Sequence, residues 1–207
     1  MKIKNRNIPR TVKDTLSWQV SRRNFIKNSL ALGALTQMSI LQSCINNENN
    51  TTVLNKKQMA IAIAVQNILF PKDKNGPGAI DFNADKYLLW VLIDQRIPKD
   101  ENQYIINGLK WVDETAQEEM SQIFLKLSKK EQVQLIHTVS KTNWGESWLS
   151  VMLTFIFEAM ISDPIYGFNK DEIGRRWLGH VAGFPRPTKE NRYDEIFETL
   201  NNRQDQI

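Results

Sequence analysis

Among the side chains of types that could exchange a proton with a substrate, three stand out by their sequence context: Glu158, His137 and His180. Glu158 lies in a strongly apolar stretch, where burial would raise its pKa and make it a candidate proton donor. Pairing of Glu158 with Arg175 or Arg176 is the simpler interpretation, because a buried carboxylate needs a charged partner. His180 lies in a predicted loop, and His137 lies in mid-helix, where packing histidines occur. Because two isolated histidines without a matching nucleophile do not form a catalytic set, the sequence predicts no catalytic residue.

The sequence also lacks the residue patterns that are typical of metal-binding and cofactor-binding sites. Cys44 is the single cysteine, which excludes an intrachain disulfide and a cysteine-based zinc or iron–sulfur site. Gly76 and Gly78 come nearest to a nucleotide-binding glycine pattern, but Pro77 lies between them and no predicted strand precedes them. The sequence therefore predicts no metal and no cofactor in this chain.

The elements that must position these residues are helices, because apolar residues recur at three- and four-residue spacing and no alternating run is present. Asn55 and Ser128 are expected to cap two of the helices, and Trp144-Gly145 to interrupt the chain before a central buried helix. The sequence predicts an all-α domain of about six helices with a Gly/Pro/aromatic-rich irregular segment near the C-terminus. The predicted helices cover residues 55–70, 83–95, 101–127, 128–139 and 146–161, a short stretch within 163–187, and 193–200.

Positive charge is concentrated at the start of the chain. Residues 1–43 hold eight Lys or Arg and one acid, whereas the remainder holds 19 basic and 22 acidic residues. A basic start followed by a mildly acidic body is typical of export and argues against nucleic-acid binding. Arg22, Arg23, Phe25 and Lys27 precede a moderately apolar run, as in a bacterial twin-arginine (Tat) signal.

The apolar run ends in Leu41-Gln42-Ser43-Cys44 and is followed by an Asn- and Thr-rich stretch. This pattern is similar to a lipoprotein signal-peptidase site, at which Cys44 would be lipidated and become the first mature residue. Acyl chains contribute about 0.8 kcal/mol per buried CH₂, so two or three of them would hold the protein at a membrane. We expect a signal peptide over residues 1–43, a flexible tether over 44–53 and a helical domain over 54–207.

Aromatic and arginine residues are concentrated in residues 163–187, the irregular segment. Trp, Tyr and Arg are the residue types that anchor protein interfaces. A small core that only holds the segment together is the alternative for each residue taken singly. For the segment as a whole, we predict a partner interface formed by Asp163, Pro164, Tyr166, Gly167, Asn169, Arg175, Arg176, Trp177, His180, Phe184 and Arg186.

The irregular segment resembles the hallmark of the gluconate 2-dehydrogenase subunit 3 family, roughly D-P-x-Y-G-G-N, then G-W, then a Gly/Pro-rich close. Phe168 stands where the second glycine is usual, and Arg175 where a tryptophan often follows the glycine. The positions that match are Asp163, Pro164, Tyr166, Gly167, Asn169, Gly174, Trp177, Gly179, Gly183 and Pro185.

The resemblance implies a cofactor-free subunit of a periplasmic dehydrogenase that acts on sugars or polyols. The implied partner is a large flavoprotein of the glucose-methanol-choline type, which carries FAD and is exported on the small subunit's Tat signal. A cytochrome c, with its haem, is a possible further partner. The chain would then be an accessory subunit without catalysis of its own, held at the periplasmic side of a membrane.

Two alternatives remain open at this point. A free-standing periplasmic lipoprotein could bind a saccharide through Tyr166, Trp177 and Phe184, since aromatic faces stack on sugars. An enzyme could use Glu158 or His180, although the search for a complete catalytic set found none.

Overall fold

The computed structural model describes residues 53–193, and within them the chain is helical without a named strand, which confirms the predicted all-α fold. Within this range the α-helices are α1 (Lys56–Leu69), α2 (Ala84–Ile93), α3 (Lys99–Met120), α4 (Lys129–Val139), α5 (Asn143–Ile161) and α6 (Ile173–Trp177). Short 3-10 helices lie between them at Ala79–Phe82, Phe124–Lys126, Pro164–Tyr166 and Lys170–Glu172.

Two predicted helix starts are confirmed in atomic detail. The Asn55 side chain accepts the N–H of Gln58 at 2.9 Å, and the Gln58 side chain accepts the N–H of Asn55 at 3.0 Å. Ser128 and Glu131 form the same reciprocal pair at the start of α4. Each pair satisfies backbone donors that a helix start leaves without an intrahelical partner.

The central element is α5, which packs against α1, α2, α3 and α6. Its Trp148 is fully buried, and the indole N–H donates to the carbonyl of Ile105 in α3 at 3.1 Å. The two helices meet at Gly108, where any Cβ would overlap the Trp148 indole. The predicted role of this helix as the buried centre is confirmed.

Helix α3 ends earlier than its apolar pattern predicts, at Met120 rather than near residue 127. Ser121 adopts the left-handed conformation with φ of 54°, which stops the helix. The Asp113 side chain then accepts the N–H of Phe124 at 3.0 Å, and Phe124 is fully buried. The chain thus turns back onto its own helix to bury this ring.

The predicted interruption at Trp144-Gly145 is wrong, because both residues lie in the first turn of α5. Thr142 is the N-cap of α5 and its hydroxyl accepts the N–H of Gly145 at 3.1 Å. A Cβ at Gly145 would collide with the carbonyl oxygen of Val139, so the glycine permits close passage past the end of α4 rather than a break. Trp144 is buried, with its ring edge-to-face against Trp111 at 5.3 Å.

A second, smaller core joins the irregular segment to the helical body. It consists of Ala79, Phe82, Ala84, Ile156, Ala159 and Met160. Helix α6 approaches α5 so closely at Gly174 that a Cβ there would collide with the carbonyl oxygen of Met160. The irregular segment is therefore packed on α5 and on the 3-10 helix Ala79–Phe82.

Three predicted segments lie outside the described residues: the signal peptide, nearly all of the tether, and all but the first residue of the closing helix over 193–200. Within residues 53–193, every helix falls short of the length or apolar character that crossing a bilayer requires.

Candidate partner-binding site

Asn169 fixes the start of the irregular segment from inside the protein. It is fully buried in the left-handed conformation, with φ of 46°. Its side-chain amide donates to the carbonyl of Ser162 at 3.0 Å and its side-chain oxygen accepts the N–H of Gly174 at 2.8 Å. Its own backbone N–H donates to the carbonyl of Phe82 at 3.0 Å. Asn169 therefore connects α5, α6 and the 3-10 helix Ala79–Phe82 by hydrogen bonds, and it stabilises the conformation of the irregular segment from inside the protein.

Two arginines and two carboxylates hold the two ends of the segment together. Arg186 donates to Asp163 from Nε at 2.8 Å and forms an ion pair with Glu172. Arg175, only 9% exposed, lies 3.2 Å from Glu172 and 3.5 Å from Asp163 through Nη1, and donates from Nε to the carbonyl of Ile161 at 2.8 Å. The sequence prediction included Asp163, Arg175 and Arg186 but missed Glu172, whose i,i+3 spacing to Arg175 was the available signal.

The ion-pair network lowers the pKa values of both carboxyls. Burial of Asp163 opposes ionisation, but the N–H of Ile165 and the Arg186 guanidinium outweigh burial and lower its pKa. The hydrogen bond from Arg186 is the largest cause of the lowered pKa of Glu172. Both groups are consequently charged at neutral pH, as the network requires.

Trp177 connects the irregular segment to the loop that follows α1. Its indole N–H donates to the carbonyl of Asn75 at 3.0 Å, and its ring lies edge-to-face with Phe70 at 5.8 Å. Gly76 lies so close to the indole that a Cβ there would overlap it. Because Trp177 is still 44% exposed, it serves packing and also contributes to the surface.

The most exposed large apolar side chains in the described part of the chain are Val181 and Phe184, at 86% and 87%. Leu178 and Trp177 add further exposed apolar area from α6 and its end. Large exposed apolar side chains of this kind, carried by a segment that partly buried ion pairs hold in place, are typical of interaction surfaces. The sequence prediction included Phe184 and missed Val181.

A cavity of about 420 Å³ opens beside these residues. Aromatic side chains from α2, the irregular segment and residue 193 line much of it, and Phe168 packs edge-to-face on Tyr87 at 5.0 Å and on Trp90 at 6.0 Å. Tyr166 accepts the N–H of Tyr193 at 3.1 Å. The lining residues are Tyr87, Trp90, Ile161, Ser162, Asp163, Tyr166, Phe168, Arg175, His180, Ala182, Gly183, Arg186, Pro187 and Tyr193.

The three aromatics considered for saccharide binding do not converge. Tyr166 lines the cavity, whereas Trp177 packs on Phe70 and Phe184 projects into solvent outside the lining. Helix α2 contributes Tyr87 and Trp90 instead; they fall within the helix predicted over residues 83–95, for which no binding role was predicted.

Glu158 has a different hydrogen-bond partner from the arginines expected. The Tyr87 hydroxyl donates to its carboxylate at 3.0 Å. Burial and the neighbouring Glu158 carboxylate together raise the pKa of Tyr87. This bond links α2 to α5 below the cavity.

The remaining predicted interface residues lie around the ion-pair network. Pro164 begins a 3-10 helix, and Gly167 ends it in the left-handed conformation with φ of 87°. Arg176 and His180 are exposed, and His180 also lines the cavity. Within residues 53–193, no three His, Cys, Asp or Glu side chains form a group that could hold a metal ion. Arg22, Arg23, Phe25, Lys27 and Cys44, assigned to export and lipidation, lie outside the described residues.

Comparison with family models matches residues 56–183 to the model described as Gluconate 2-dehydrogenase subunit 3. The match runs from the first residue of α1 through most of the irregular segment and covers well over half of the chain. Comparison with curated proteins and with solved structures gives no match. The chain belongs to the gluconate 2-dehydrogenase subunit 3 family.

Proposed function

We propose that this protein is a non-catalytic accessory subunit that escorts a large flavin-dependent sugar or polyol dehydrogenase through Tat export and anchors it to a membrane. The family match over residues 56–183 carries the proposal, because the family is named for a subunit of a dehydrogenase complex. FAD belongs to the large subunit in this proposal, and a cytochrome c that carries haem is a further partner.

Two features of the chain support this division of labour. The first is the Tat-like pattern at Arg22 and Arg23, which would serve a partner that has to be exported already folded around its flavin. The second is the irregular segment, in which partly buried ion pairs hold a surface carrying Val181 and Phe184. Large apolar side chains on a preorganised surface bind a partner at a small cost in conformational entropy.

Cys44 supplies the proposed anchor. Lipidation at this residue would leave residues 45–53 between the membrane and the helical body, enough chain to let the complex stand off the surface. The mature protein would then lie on the periplasmic side.

Export of the partner tests the proposal directly. The full-length chain and its proposed large flavoprotein partner are co-expressed, and both are followed in cytoplasmic and periplasmic fractions together with bound flavin. We expect Arg22→Lys/Arg23→Lys to retain the flavin-loaded large subunit in the cytoplasm. The matched control Arg6→Lys/Arg10→Lys makes the same two changes outside the signal pattern and should leave export intact. If neither double substitution changes export of the large subunit, the escort role is refuted.

A further inference from the structure

The cavity beside the irregular segment has two chemically distinct sides. Tyr87, Trp90 and Phe168 make one side aromatic. Arg175 and Arg186 lie in the lining together with Asp163, while Glu172 pairs with both arginines from outside the lining. The lining therefore combines apolar surface with two guanidinium groups whose charges the two carboxylates balance. It fits a ligand that carries an apolar group and, close to it, a group that accepts hydrogen bonds from the guanidinium N–H groups left unused.

Several hydrogen-bond donors around the cavity remain available. Arg175 bonds through Nε and Nη1, and Arg186 through Nε and Nη2, whereas Nη2 of Arg175 and Nη1 of Arg186 donate to no residue in the range 53–193. The Tyr166 hydroxyl accepts the N–H of Tyr193, which leaves its own proton to donate. Guanidinium and hydroxyl donors of this kind bind carboxylates in short, charge-assisted hydrogen bonds.

The surroundings of the cavity indicate a macromolecular ligand. Ala182 and Gly183 line it, and the residues that flank them, Val181 and Phe184, are the most exposed large apolar side chains in the described chain. A small molecule in the cavity would leave both of these side chains in water. A protein that packs on Val181 and Phe184 contacts the same stretch of chain that lines the cavity through Ala182 and Gly183, so one partner is able to contact both.

We propose that the cavity receives a segment of the large subunit in which an apolar or aromatic side chain adjoins an Asp or Glu. The apolar side chain packs on Tyr87, Trp90 and Phe168, and the carboxylate accepts hydrogen bonds from Arg175, Arg186 and Tyr166. This inference rests on the proposed function, since it names the chemistry of the partner's contact.

Charge substitution at Ala182 tests the sign of the interaction without removing a member of the ion-pair network. Ala182→Asp and Ala182→Lys place side chains of opposite charge at the cavity opening. We expect Ala182→Asp to raise the Kd for the large subunit about tenfold through like-charge repulsion. Ala182→Lys should raise it by less or lower it. The same pair of changes at the exposed Gln134 of α4 is the control and should leave the Kd unchanged.

Photo-crosslinking in the assembled complex identifies the segment that enters the cavity. A photoreactive phenylalanine analogue replaces the exposed His180 at the cavity, and in the control it replaces the exposed His137 of α4. The peptide captured from position 180 should contain an Asp or Glu beside an apolar or aromatic residue, and position 137 should not capture it.

Each contrary result has a distinct meaning. The cavity proposal is overturned if the two Ala182 changes raise the Kd equally, or if lysine raises it more than aspartate does. It is also overturned if the captured peptide contains no Asp or Glu. A complex that forms normally but yields no crosslink from position 180 overturns it as well, while the accessory-subunit proposal stands. If the wild-type chain binds no large subunit, both proposals fall.

Discussion

Asn169 shows how one buried polar residue determines the shape of a surface. Its side chain accepts the N–H of Gly174 and donates to the carbonyl of Ser162, so removing it leaves a buried donor and a partly buried acceptor without these bonds. Asn is also among the few residues that tolerate the left-handed conformation it adopts here, with φ of 46°.

We expect Asn169→Ala to lower the free energy of unfolding by roughly 2–4 kcal/mol, from two lost hydrogen bonds and the strained backbone. Asn169→Gly is the matched control, because it loses the same bonds but relieves the strain. Urea denaturation should place the glycine variant between the alanine variant and the wild type. An alanine variant as stable as the wild type would show that the segment does not depend on this residue.

Asp163 should make the irregular segment sensitive to strong acid but not to mild acid. Its pKa lies below the ordinary value of 3.8, so its contribution to stability is present above about pH 4 and is lost as the pH falls further. At pH 7 we expect Asp163→Asn to lower the free energy of unfolding by roughly 1–3 kcal/mol.

The difference between Asp163→Asn and the wild type should stay constant from pH 7 to about pH 5 and shrink below about pH 4, as measured by denaturation at a series of pH values. Asp171→Asn alters an exposed carboxylate in the next 3-10 helix, Lys170–Glu172, and is the control, with little effect expected at any pH. A difference that instead grows on acidification would contradict the assigned direction of the pKa.

Residues whose roles depend on local spacing were the most predictable. Ser128 was identified as a helix cap because Glu131 lies three residues along the chain, and Asn55 was identified because its residue type favours the position before a helix. Tyr87 and Trp90 could not be assigned to the cavity, since their neighbour Phe168 lies far away in sequence and only tertiary packing brings them together. The hydrogen bond between Tyr87 and Glu158 could not be predicted for the same reason.

At the scale of elements, the contact between α3 and α5 depends on the missing side chain of Gly108. Alanine is a better helix former than glycine by about 1 kcal/mol, so helix propensity alone favours the substitution. A Cβ at this position would overlap the buried Trp148 indole and disturb its bond to the carbonyl of Ile105.

The steric overlap with Trp148 should cost more than alanine gains in helix propensity. We therefore expect Gly108→Ala to lower the free energy of unfolding by roughly 1–3 kcal/mol. Gly183→Ala is the comparison, because a Cβ there meets nothing within 4 Å and stability should change little. Thermal or urea unfolding of the two variants measures the contrast. A stabilised Gly108→Ala variant would show that the two helices can separate without loss.

Element boundaries were harder to predict than element types. The apolar spacing of α3 continues through Phe124, yet the helix ends at Met120, because Ser121 turns left-handed and Asp113 captures the N–H of Phe124. Trp144-Gly145 resembles a break in composition, but the glycine only admits the close approach of Val139. Periodicity reports which side chains are buried and says little about where the backbone changes course.

For the molecule as a whole, the surface around Val181 and Phe184 should contribute to partner binding and not to stability. Both side chains are almost fully exposed, so Val181→Ser/Phe184→Ser should change the free energy of unfolding by less than about 0.5 kcal/mol. Co-purification of the large subunit should nevertheless fall, because the apolar area lost belongs to the proposed contact.

The matched control for that experiment is Val133→Ser/Val53→Ser. These residues are also apolar and exposed, at 52% and 37%, but lie on α4 and before α1, in elements that do not line the cavity. Co-purification that survives the first pair, or that falls equally with both, would place the binding surface elsewhere on the protein.

The hydrogen bond from Trp177 to Asn75 spans 102 positions in sequence and has a practical consequence for transplanting this surface. Phe70, Phe82 and the turn at Gly76 support the irregular segment from below, so residues 163–187 moved alone onto another helical scaffold would lose their underlying support. A working graft would have to carry residues 70–84 along with them. By the same reasoning, natural exchange of partners among related subunits should change these two distant stretches together.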